Sequence, residues 1–390
     1  MVAVGDVLIH RRIKAAARDH DSRDAQGQSI NNGGFDWIWQ DVSPYFRDAD
    51  IAFANLEVPI APDHNRGVHG ERFNSPATVA TSLAHSGITV VSTANNHSFD
   101  QGPEGLVETH QRLSSAGITS LGSAPSCELA QTHRIVETNG LKIAMLAVTD
   151  LMNLNENTGP NTPCTFVTGP VCQTDCGPDR DAIHYAIDET LLEGAIRAAD
   201  RAADAVVVSF HWGDEYRTQP LDIYRNLAPK LAEAGADVII GHHPHVLQPV
   251  VFHRTSDGRD TLIAYSLGNF VSDMAANYDT STHTVRRGNT RDGLLLSWTF
   301  VATRQPGDQL KVSIEDLQLV PLWTENNKPH QNGGPTQVRV RTHASIRQQL
   351  QNAVPDRQRT ALRALIDLRW QAIAEIVGAE YLADPPPVSH

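Results

Sequence analysis

The sequence predicts an α/β protein in which a central sheet is covered by helices. Short apolar runs rich in Val, Ile and Ala alternate with segments whose apolar residues follow helical spacing. Polar residues also follow several of the apolar runs directly, as is typical of α/β sheets that carry a site at one edge. The predicted strands are residues 2–6, 50–54, 88–94, 142–149, 205–211, 236–240 and 261–266, and the predicted helices are residues 103–116, 189–203 and 221–235.

The pattern changes after residue 290. Two strand-like runs, 293–301 and 311–320, follow each other without a helix between them, which indicates an antiparallel edge or a second sheet. Residues 344–380 then have the apolar spacing of a helix. We therefore predict a main domain over residues 1–320 and a mostly helical C-terminal extension over residues 321–390.

Composition excludes several classes of protein. The chain has 390 residues and a formal charge of −13, and its few basic pairs are isolated, so we expect no nucleic-acid partner. No apolar run approaches the roughly 18 residues of a membrane span, so we expect no membrane partner. The chain begins directly with a strand, which predicts a cytoplasmic protein. We expect Cys164, Cys172 and Cys176 to be free or locally paired thiols.

Eighteen histidines are the unusual count, and several lie at the ends of predicted strands. The polar strand-end motifs are Gly5-Asp6, Asn55-Leu56-Glu57, Asn95-Asn96-His97 with Asp100, His211-Trp212-Gly213, and His242-His243-Pro244-His245. Because strand ends meet at one edge of a sheet, these side chains are expected to converge and to bind Mn, Fe, Zn or Ca. In an extended segment, His243 and His245 would point to the same side. The alternative is that these residues are structural caps and hydrogen-bond partners.

In this order, the motifs resemble the CapA family of bacterial capsule or poly-γ-glutamate synthesis proteins, within the calcineurin-like metallophosphoesterase superfamily. The resemblance spans about residues 2–272 and implies an αββα sandwich with a metal centre, so that residues 1–320 form a calcineurin-like catalytic domain. It places a set of six residues as metal ligands: Asp6, Glu57, Asn96, His211, His243 and His245. It also places His97 beside a bound phosphate and Asp100 as its orienting partner.

One departure from the superfamily pattern bears on the chemistry. The first strand ends in Asp6-Val7-Leu8, where phosphoesterases have Asp-x-His, so one imidazole ligand is missing unless His10 replaces it. Glu57 also stands where a shorter bridging Asp is common. A single, partly hydrated ion is therefore at least as plausible as a two-metal phosphatase centre.

Two uses of such a metal site follow. In the first, metal-bound water attacks a phosphoester or an amide, with His97 as the general acid. In the second, two His/Asp pairs remove and return a proton at a substrate Cα, which is an epimerase mechanism. The candidate pairs are His97 with Asp100, and Asp6 with His243 or His245.

We favour the epimerase hypothesis, because the first strand departs from the phosphatase pattern and no leader or anchor is visible. CapA-like proteins that resemble this chain include a branch that epimerises the C-terminal residue of lasso-peptide precursors. The resemblance thus implies a peptide substrate held by loops 19–36 and 150–182. Arg286 or Arg287 would bind its carboxylate, unless these arginines are a solvated surface pair. A hydrolase, a poly-γ-glutamate capsule protein and a non-catalytic scaffold remain as alternatives, and the metal and the oligomeric state stay open.

Overall fold

The computed structural model describes residues 1–383 except for 69, 71, 155, 172–182, 306–309, 328–334 and 352–356. Its strands are β1 (Val2–Val7), β2 (Ala52–Leu56), β3 (Val90–Ser92), β4 (Thr119–Leu121), β5 (Ser123–Ala124), β6 (Arg134–Thr138), β7 (Leu141–Thr149), β8 (Leu151–Met152), β9 (Cys164–Thr165), β10 (Ile183–His184), β11 (Ala205–His211), β12 (Val238–His242), β13 (Val250–Arg254), β14 (Asp260–Ala264), β15 (Asn269–Val271), β16 (Asp292–Arg304), β17 (Leu310–Asn327) and β18 (Gln337–Thr342). Its helices are α1 (Arg11–Asp19), α2 (Phe35–Trp39), α3 (Ser43–Arg47), α4 (Thr78–Ser86), α5 (Gly102–Ser115), α6 (Cys127–Gln131), α7 (Glu189–Asp200), α8 (Asp222–Glu233), α9 (His343–Gln351) and α10 (Arg357–Val377).

The strands form two main sheets instead of the one central sheet that the apolar runs alone predict. In the first sheet the order is β18-β17-β16-β1-β2-β3-β4, with β15 also paired to β1. In the second sheet the order is β13-β14-β12-β11-β7-β6. In the first sheet β1 to β4 run parallel up to one edge, and β16 to β18 continue the other side as antiparallel strands. In the second sheet the middle strands run parallel, and β13 and β6 are antiparallel at the two edges. Both sheets therefore present the carboxyl ends of parallel strands.

Alternating side chains of the buried strands divide the interior into layers. In β1, Ala3 packs into the core between the two sheets, whereas Val2 and Val4 pack into the core under α1, α2 and α4. In β7, Met145 likewise packs between the sheets, while Leu146 packs against α7 and α8. This alternation follows from the two-residue period of a strand. The architecture is an αββα sandwich, which confirms the fold that the resemblance implied.

The predicted elements correspond to observed ones with small shifts at their ends. Residues 205–211 form β11 without any shift, and Asp188 caps α7 by accepting a hydrogen bond from the Leu191 amide at 3.0 Å. The two runs after residue 290 form the antiparallel pair β16 and β17. Helices α9 and α10 confirm the helical C-terminal segment. Because β17 crosses residue 320, the domain boundary at that residue stays a prediction.

The cysteine prediction is wrong for Cys164. It forms a disulfide with Cys127, 37 residues away, instead of remaining free or pairing within its own loop. The pairing of β5 with β9 brings the two segments together, a contact that residue spacing does not reveal. Cys172 and Cys176 lie outside the described residues. Disulfides persist mainly in oxidising compartments, so this bond does not favour the cytoplasmic location, which stays a prediction.

Among the described residues, no helix combines the length and the apolar character that a bilayer crossing requires.

Candidate metal centre

The candidate site lies where strand ends of the two sheets meet. Asp6 is the next-to-last residue of β1, and Glu57 directly follows β2, which pairs with β1 in parallel. From the second sheet, His211 ends β11, and His243 follows the adjacent parallel strand β12. The side chains of all four residues are almost completely buried. The parallel register of each sheet therefore brings carboxylates from one sheet toward imidazoles from the other.

Two overlapping groups of side chains have the composition of a metal site. One consists of Glu57, His211 and His243, and the other of Asp6, Glu57 and His245; within each group the ligand atoms lie within 4.8 Å of one another. The nearest imidazole to Glu57 is His211, whose Nε2 lies 3.5 Å from Oε1, and His245 Nε2 lies 3.7 Å from the same oxygen. Glu57 is thus the donor common to both groups.

Two asparagines contact the ring of His211, one with its amide oxygen and the other with its amide nitrogen. Asn96 Oδ1 lies 2.9 Å from His211 Nε2, so that an amide oxygen and an imidazole nitrogen converge on the same point. On the other side of the ring, Asn55 Nδ2 lies 3.3 Å from His211 Nδ1 and donates to Asp6 Oδ1 at 2.9 Å. Asn55 therefore orients both a carboxylate and an imidazole, as outer-shell partners of metal ligands commonly do.

The prediction that His243 and His245 share one side of an extended segment is wrong in its geometry. Both residues adopt the left-handed backbone region, with φ of 93° and 56° respectively. Their rings nevertheless lie close, with centroids 5.8 Å apart. Non-glycine residues with positive φ are strained, and such strain is often retained at functional sites. The turn of the chain, and not strand alternation, brings the two imidazoles together.

Asp6 and Glu57 are two buried carboxyl groups with opposite pKa shifts. Burial, followed by the nearby negative charge of Asp6, raises the pKa of Glu57 well above its ordinary value. Burial also opposes ionisation of Asp6, but contacts with His242 and His245 hold its pKa well below the ordinary value. His242 Nδ1 lies 3.2 Å from Asp6 Oδ1, and His245 Nδ1 lies 3.2 Å from Asp6 Oδ2. Asp6 is therefore the resident anion of the site.

The imidazoles of His211 and His243 are neutral, so each can donate a lone pair to a metal ion. Burial, followed by the positive potential of His243, lowers the pKa of His211 well below its ordinary value. Burial, followed by His245, lowers the pKa of His243 to about 3. Both rings are therefore neutral at pH 7, the form that binds metals. Although burial alone would lower it, the pKa of His245 is raised by Asp6.

The unsatisfied polar atoms fit a bound cation. Both carboxyl oxygens of Glu57 and Nδ1 of His243 are buried without a hydrogen-bond partner among the residues that the structure describes. Burying such atoms without partners is unfavourable, and a divalent ion would satisfy them. Mixed carboxylate, amide and imidazole donors suit Mn, Fe or Zn. The residues present therefore fit a divalent metal ion, whose identity and number the donor set does not fix.

A cavity of about 540 Å³ opens above these residues, and His97 of the candidate acid/base pair lines it. Its lining includes Asn96, His97, His243 and His245. His97 Nδ1 lies 2.9 Å from Asp100 Oδ2, so the carboxylate fixes the ring and leaves Nε2 for proton exchange. The backbone amide of Phe73 donates to the same Asp100 oxygen at 2.6 Å, which holds the carboxylate in turn.

His10, considered as a replacement ligand, lies on the cavity wall but outside both donor groups. Its Nδ1 accepts a hydrogen bond from the backbone amide of Asp273 at 3.2 Å and lies 3.4 Å from the Asp273 carboxylate. Burial, partly offset by Asp273, lowers the pKa of His10 to about 4. The ring is thus neutral and already engaged by the loop that follows β15.

The two long loops differ in their relation to the cavity. Asn153, in the predicted loop 150–182, lies on the cavity wall, whereas residues 172–182 lie outside the described residues. Among the described residues, loop 19–36 lines a different cavity, beside α1 and α2. Of the two loops that were predicted to hold the substrate, only 150–182 therefore contributes a described residue, Asn153, to the cavity above the metal centre.

Three contributing residues were not selected from the sequence as site residues. Asn269 Oδ1 lies 3.0 Å from His245 Nδ1, and His242 contacts Asp6 as described above. Glu215 lines the cavity, and its Oε1 lies 3.8 Å from His245 Nε2. Asn269 and His242 both belong to polar groups at strand ends, so the same signal that revealed Asp6 could have found them.

The fold and the site together define a calcineurin-like α/β sandwich with a candidate metal centre at the ends of its parallel strands. The model of one family, described as "Bacterial capsule synthesis protein PGA_cap", matches residues 1–274. This chain belongs to that family.

Several relatives carry names that refer to capsule or polymer synthesis. "Capsule biosynthesis protein CapA" of Bacillus anthracis is 28% identical over 281 residues, covering 70% of this chain and 60% of the relative. "PGA biosynthesis protein CapA" of Bacillus subtilis is 30% identical over 277 residues, covering 70% of this chain and 62% of the relative. "Probable polyglutamine synthesis accessory protein Rv0574c" of Mycobacterium tuberculosis is 25% identical over 304 residues, covering 69% of this chain and 73% of the relative. The chain thus spans less than two thirds of the two Bacillus proteins.

Proposed function

We propose that this chain is a metal-dependent enzyme that acts on a peptide or other amide-linked substrate and inverts a Cα by proton transfer. The observation that carries the proposal is one cavity lined by both His97, whose Nδ1 contacts the Asp100 carboxylate, and the histidines of the candidate metal centre, His243 and His245. His97 belongs to neither ligand group, so its imidazole is available for proton transfer while the donors hold an ion. The narrowest form of the proposal is epimerisation of the C-terminal residue of a lasso-peptide precursor.

The proposed step balances within the substrate and two side chains. The Cα–H bond breaks, its proton goes to His97 Nε2, and its electron pair moves into the neighbouring carbonyl group. A second acid on the same cavity then delivers a proton to the opposite face of the Cα. Of the two candidates, His243 and His245, the proton donor is His245 with its ring not bound to the ion, because Asp6 raises the pKa of His245 whereas that of His243 is lowered to about 3. A divalent ion, when bound, supplies positive charge that favours this electron shift. Asp100 stabilises the imidazolium of His97 after proton transfer.

A second candidate function is a role in the synthesis of a glutamate polymer. The names of the Bacillus and Mycobacterium relatives favour this function, because they refer to capsule, PGA and polyglutamine synthesis. The two candidates share an amide-linked substrate, so the polymer enters the same test as a second substrate class. A phosphoesterase or other hydrolase is the third candidate, since the fold belongs to a class that uses metal-bound water.

The test is Cα deuterium exchange in heavy water with Mn²⁺-loaded protein. The substrates are precursor peptides encoded near this gene and a γ-linked glutamate oligomer, and mass spectrometry measures uptake at each Cα. Wild-type protein is expected to incorporate deuterium at one Cα of one substrate. His97→Ala should slow uptake by roughly 10²–10⁴-fold, whereas the control His253→Ala, a partly exposed position in β13, should not.

The same preparations separate the alternatives. Absence of Cα exchange with every substrate would refute the epimerase proposal. Hydrolysis of an aryl phosphate or an amide that depends on Mn²⁺ and His97 would instead identify a hydrolase. Binding of the glutamate oligomer with neither exchange nor hydrolysis would identify a non-catalytic role in polymer synthesis.

A further inference from the structure

A second cavity adjoins the one above the candidate metal centre. It has a volume of about 410 Å³ and is lined by residues that include Arg286 and Arg287. Tyr216 and Met274 line both cavities, so the two form consecutive parts of one groove. Tyr216 also approaches the metal centre, because its ring centroid lies 6.4 Å from that of His245. A substrate that reaches the metal centre can therefore extend past these two side chains toward the arginines.

The two parts of the groove carry opposite charge. The cavity above the metal centre has Asp214 and Glu215 in its lining, with Asp6 and Glu57 buried beneath it. The one arginine of that lining, Arg217, lies 3.3 Å from the Asp214 carboxylate and is paired with it. In the second cavity the charged lining residues are the two arginines. Since acidic walls repel an anion, a negatively charged part of the substrate is favoured in the second cavity.

Arg286 and Arg287 have charge available for a ligand. Both side chains are exposed, and neither forms an ion pair with a carboxylate in the part of the chain that the structure describes. Elsewhere in this chain exposed arginines commonly have acidic neighbours, for example Arg254 with Asp260. A guanidinium binds a carboxylate through two parallel hydrogen bonds, and two adjacent arginines provide two such groups.

The C-terminal helix α10 holds the segment that carries these arginines through contacts of one buried side chain. The arginines belong to a 3₁₀ helix, Val285–Arg291. Arg369, fully buried in α10, donates to the Val285 carbonyl at 2.6 Å and to Asn289 Oδ1 at 2.8 Å. It also forms an ion pair with the buried carboxylate of Asp292, at the end of the same segment. The arginine pair therefore lies on a tethered element and not on a free loop.

We propose that this second cavity, which we name the arginine subsite (Arg286, Arg287 and their cavity), binds a carboxylate of the substrate. The substrate class is an amide-linked chain with a carboxylate a short distance from its reacting Cα, either a peptide C-terminus or a glutamate side chain. This inference rests on the proposed function for the position of the reacting group. It adds the feature by which the substrate is selected, and it assigns the C-terminal helix the role of holding the subsite.

The test compares binding of acids with binding of their amides to the Mn²⁺-loaded full chain. The probes are a γ-linked glutamate tetramer and N-acetyl-trialanine, each as the free acid and as the carboxamide, and isothermal titration calorimetry measures affinity. At least one acid is expected to bind roughly 10–100-fold more tightly than its amide, as charge-assisted hydrogen bonds allow. In Arg286→Gln/Arg287→Gln this preference should fall below about threefold.

Arg201→Gln is the matched control, because Arg201 is an exposed arginine at the end of α7 and lines neither cavity. The preference for the acid should be unchanged in this control. Equal melting temperatures of the three proteins would show that the exposed substitutions leave the fold intact.

Three results would overturn the proposal. They are absence of binding by every acid, an equal affinity for acid and amide in wild-type protein, and a preference that survives in the double variant. Arginine-dependent binding of inorganic phosphate without any preference for the acids would also overturn it, since the subsite would then select phosphate. Failure of the epimerase proposal looks different, because an arginine-dependent preference would then remain without Cα exchange.

Discussion

Glu57→Gln is expected to stabilise the metal-free protein and to abolish the stabilisation that Mn²⁺ provides. In the metal-free state, both Glu57 oxygens are buried without partners near the negative charge of Asp6. The amide removes the charge and adds an N–H group that can donate to Asp6. With metal, the same substitution removes the donor that is common to both ligand groups. One substitution should therefore have opposite effects in the two states.

The expected magnitudes follow from burial and chain length. A buried polar group without a partner costs about 1–3 kcal/mol. For 390 residues the entropy of unfolding is about 0.8 kcal/mol/K, so this cost corresponds to a rise of about 1–4 °C in Tm. Wild-type protein at a metal concentration of 100 times Kd gains about 2.7 kcal/mol. This gain corresponds to about 3 °C, and the variant should lose most of it.

The pH dependence of Tm provides an independent test of the sign of this electrostatic effect. The pKa of Glu57 is raised in the folded state, so its stabilising contribution is present below its ordinary pKa and is lost as pH rises through the raised value. The variant has no such loss. The difference in Tm between metal-free variant and metal-free wild type should therefore widen as the pH increases from about 5 to 8.

The assay is calorimetric melting of EDTA-treated protein across a Mn²⁺ series. Glu137→Gln is the control, because Glu137 lies exposed in β6 and belongs to neither ligand group. Its response to Mn²⁺ should equal that of wild type. An equal Mn²⁺-induced rise in wild type and Glu57→Gln would refute the assignment of Glu57 as a ligand. A metal-free variant less stable than wild type would refute the electrostatic reasoning.

Two further predictions concern stability away from the metal centre. His343 is fully buried, and neither of its ring nitrogens has a hydrogen-bond partner in the described part of the chain. Burial lowers its pKa to about 3, so as pH falls below 6.5 the unfolded chain binds a proton before the folded chain does. Wild type should therefore lose about 2 kcal/mol of unfolding free energy from this group between pH 7.5 and 5, and His343→Leu should not. Urea unfolding measures both free energies, and equal losses in the two proteins would contradict the lowered pKa of His343. Replacing Cys127 and Cys164 by Ser, in a background without Cys172 and Cys176, should cost about 4 kcal/mol for a loop of 37 residues. Guanidinium unfolding measures this cost, and an unchanged midpoint would contradict the bond.

Local signals explain which parts of the fold were predictable. The strand 205–211 is a continuous run of apolar and β-branched residues, and Asp188 is a standard helix N-cap, so both could be identified from neighbouring residues alone. The division into two sheets could not. Every residue of β1 is buried, so the sequence does not show which of its side chains face the second sheet. That choice depends on strands of the second sheet such as β7, whose Met145 shares with Ala3 the core between the sheets although the two residues are far apart in the chain.

The geometry of the site, like the division into two sheets, depends on contacts that the local sequence does not reveal. The motifs identified the strand ends, but the backbone that brings His243 beside His245 has positive φ at both residues, around Pro244. Local preference disfavours that conformation for residues other than glycine, so only the surrounding fold enforces it. Likewise, the 3₁₀ helix that carries Arg286 is held by Arg369, more than 80 residues further along the chain. Residue spacing alone left a solvated surface pair as the alternative for Arg286 and Arg287.

The metal assignment depends more on burial than on the motifs. A folded chain does not place two carboxyl groups together in its interior without compensation, because desolvation and mutual repulsion both oppose it. Asp6 is compensated by His242 and His245, whereas Glu57 shares His245 at the longer distance of 3.7 Å and has a raised pKa. The remaining imidazoles, His211 and His243, are neutral and cannot compensate it by charge. A bound divalent cation would favour the ionised form of Glu57 and offset its repulsion by Asp6, whichever reaction the site performs.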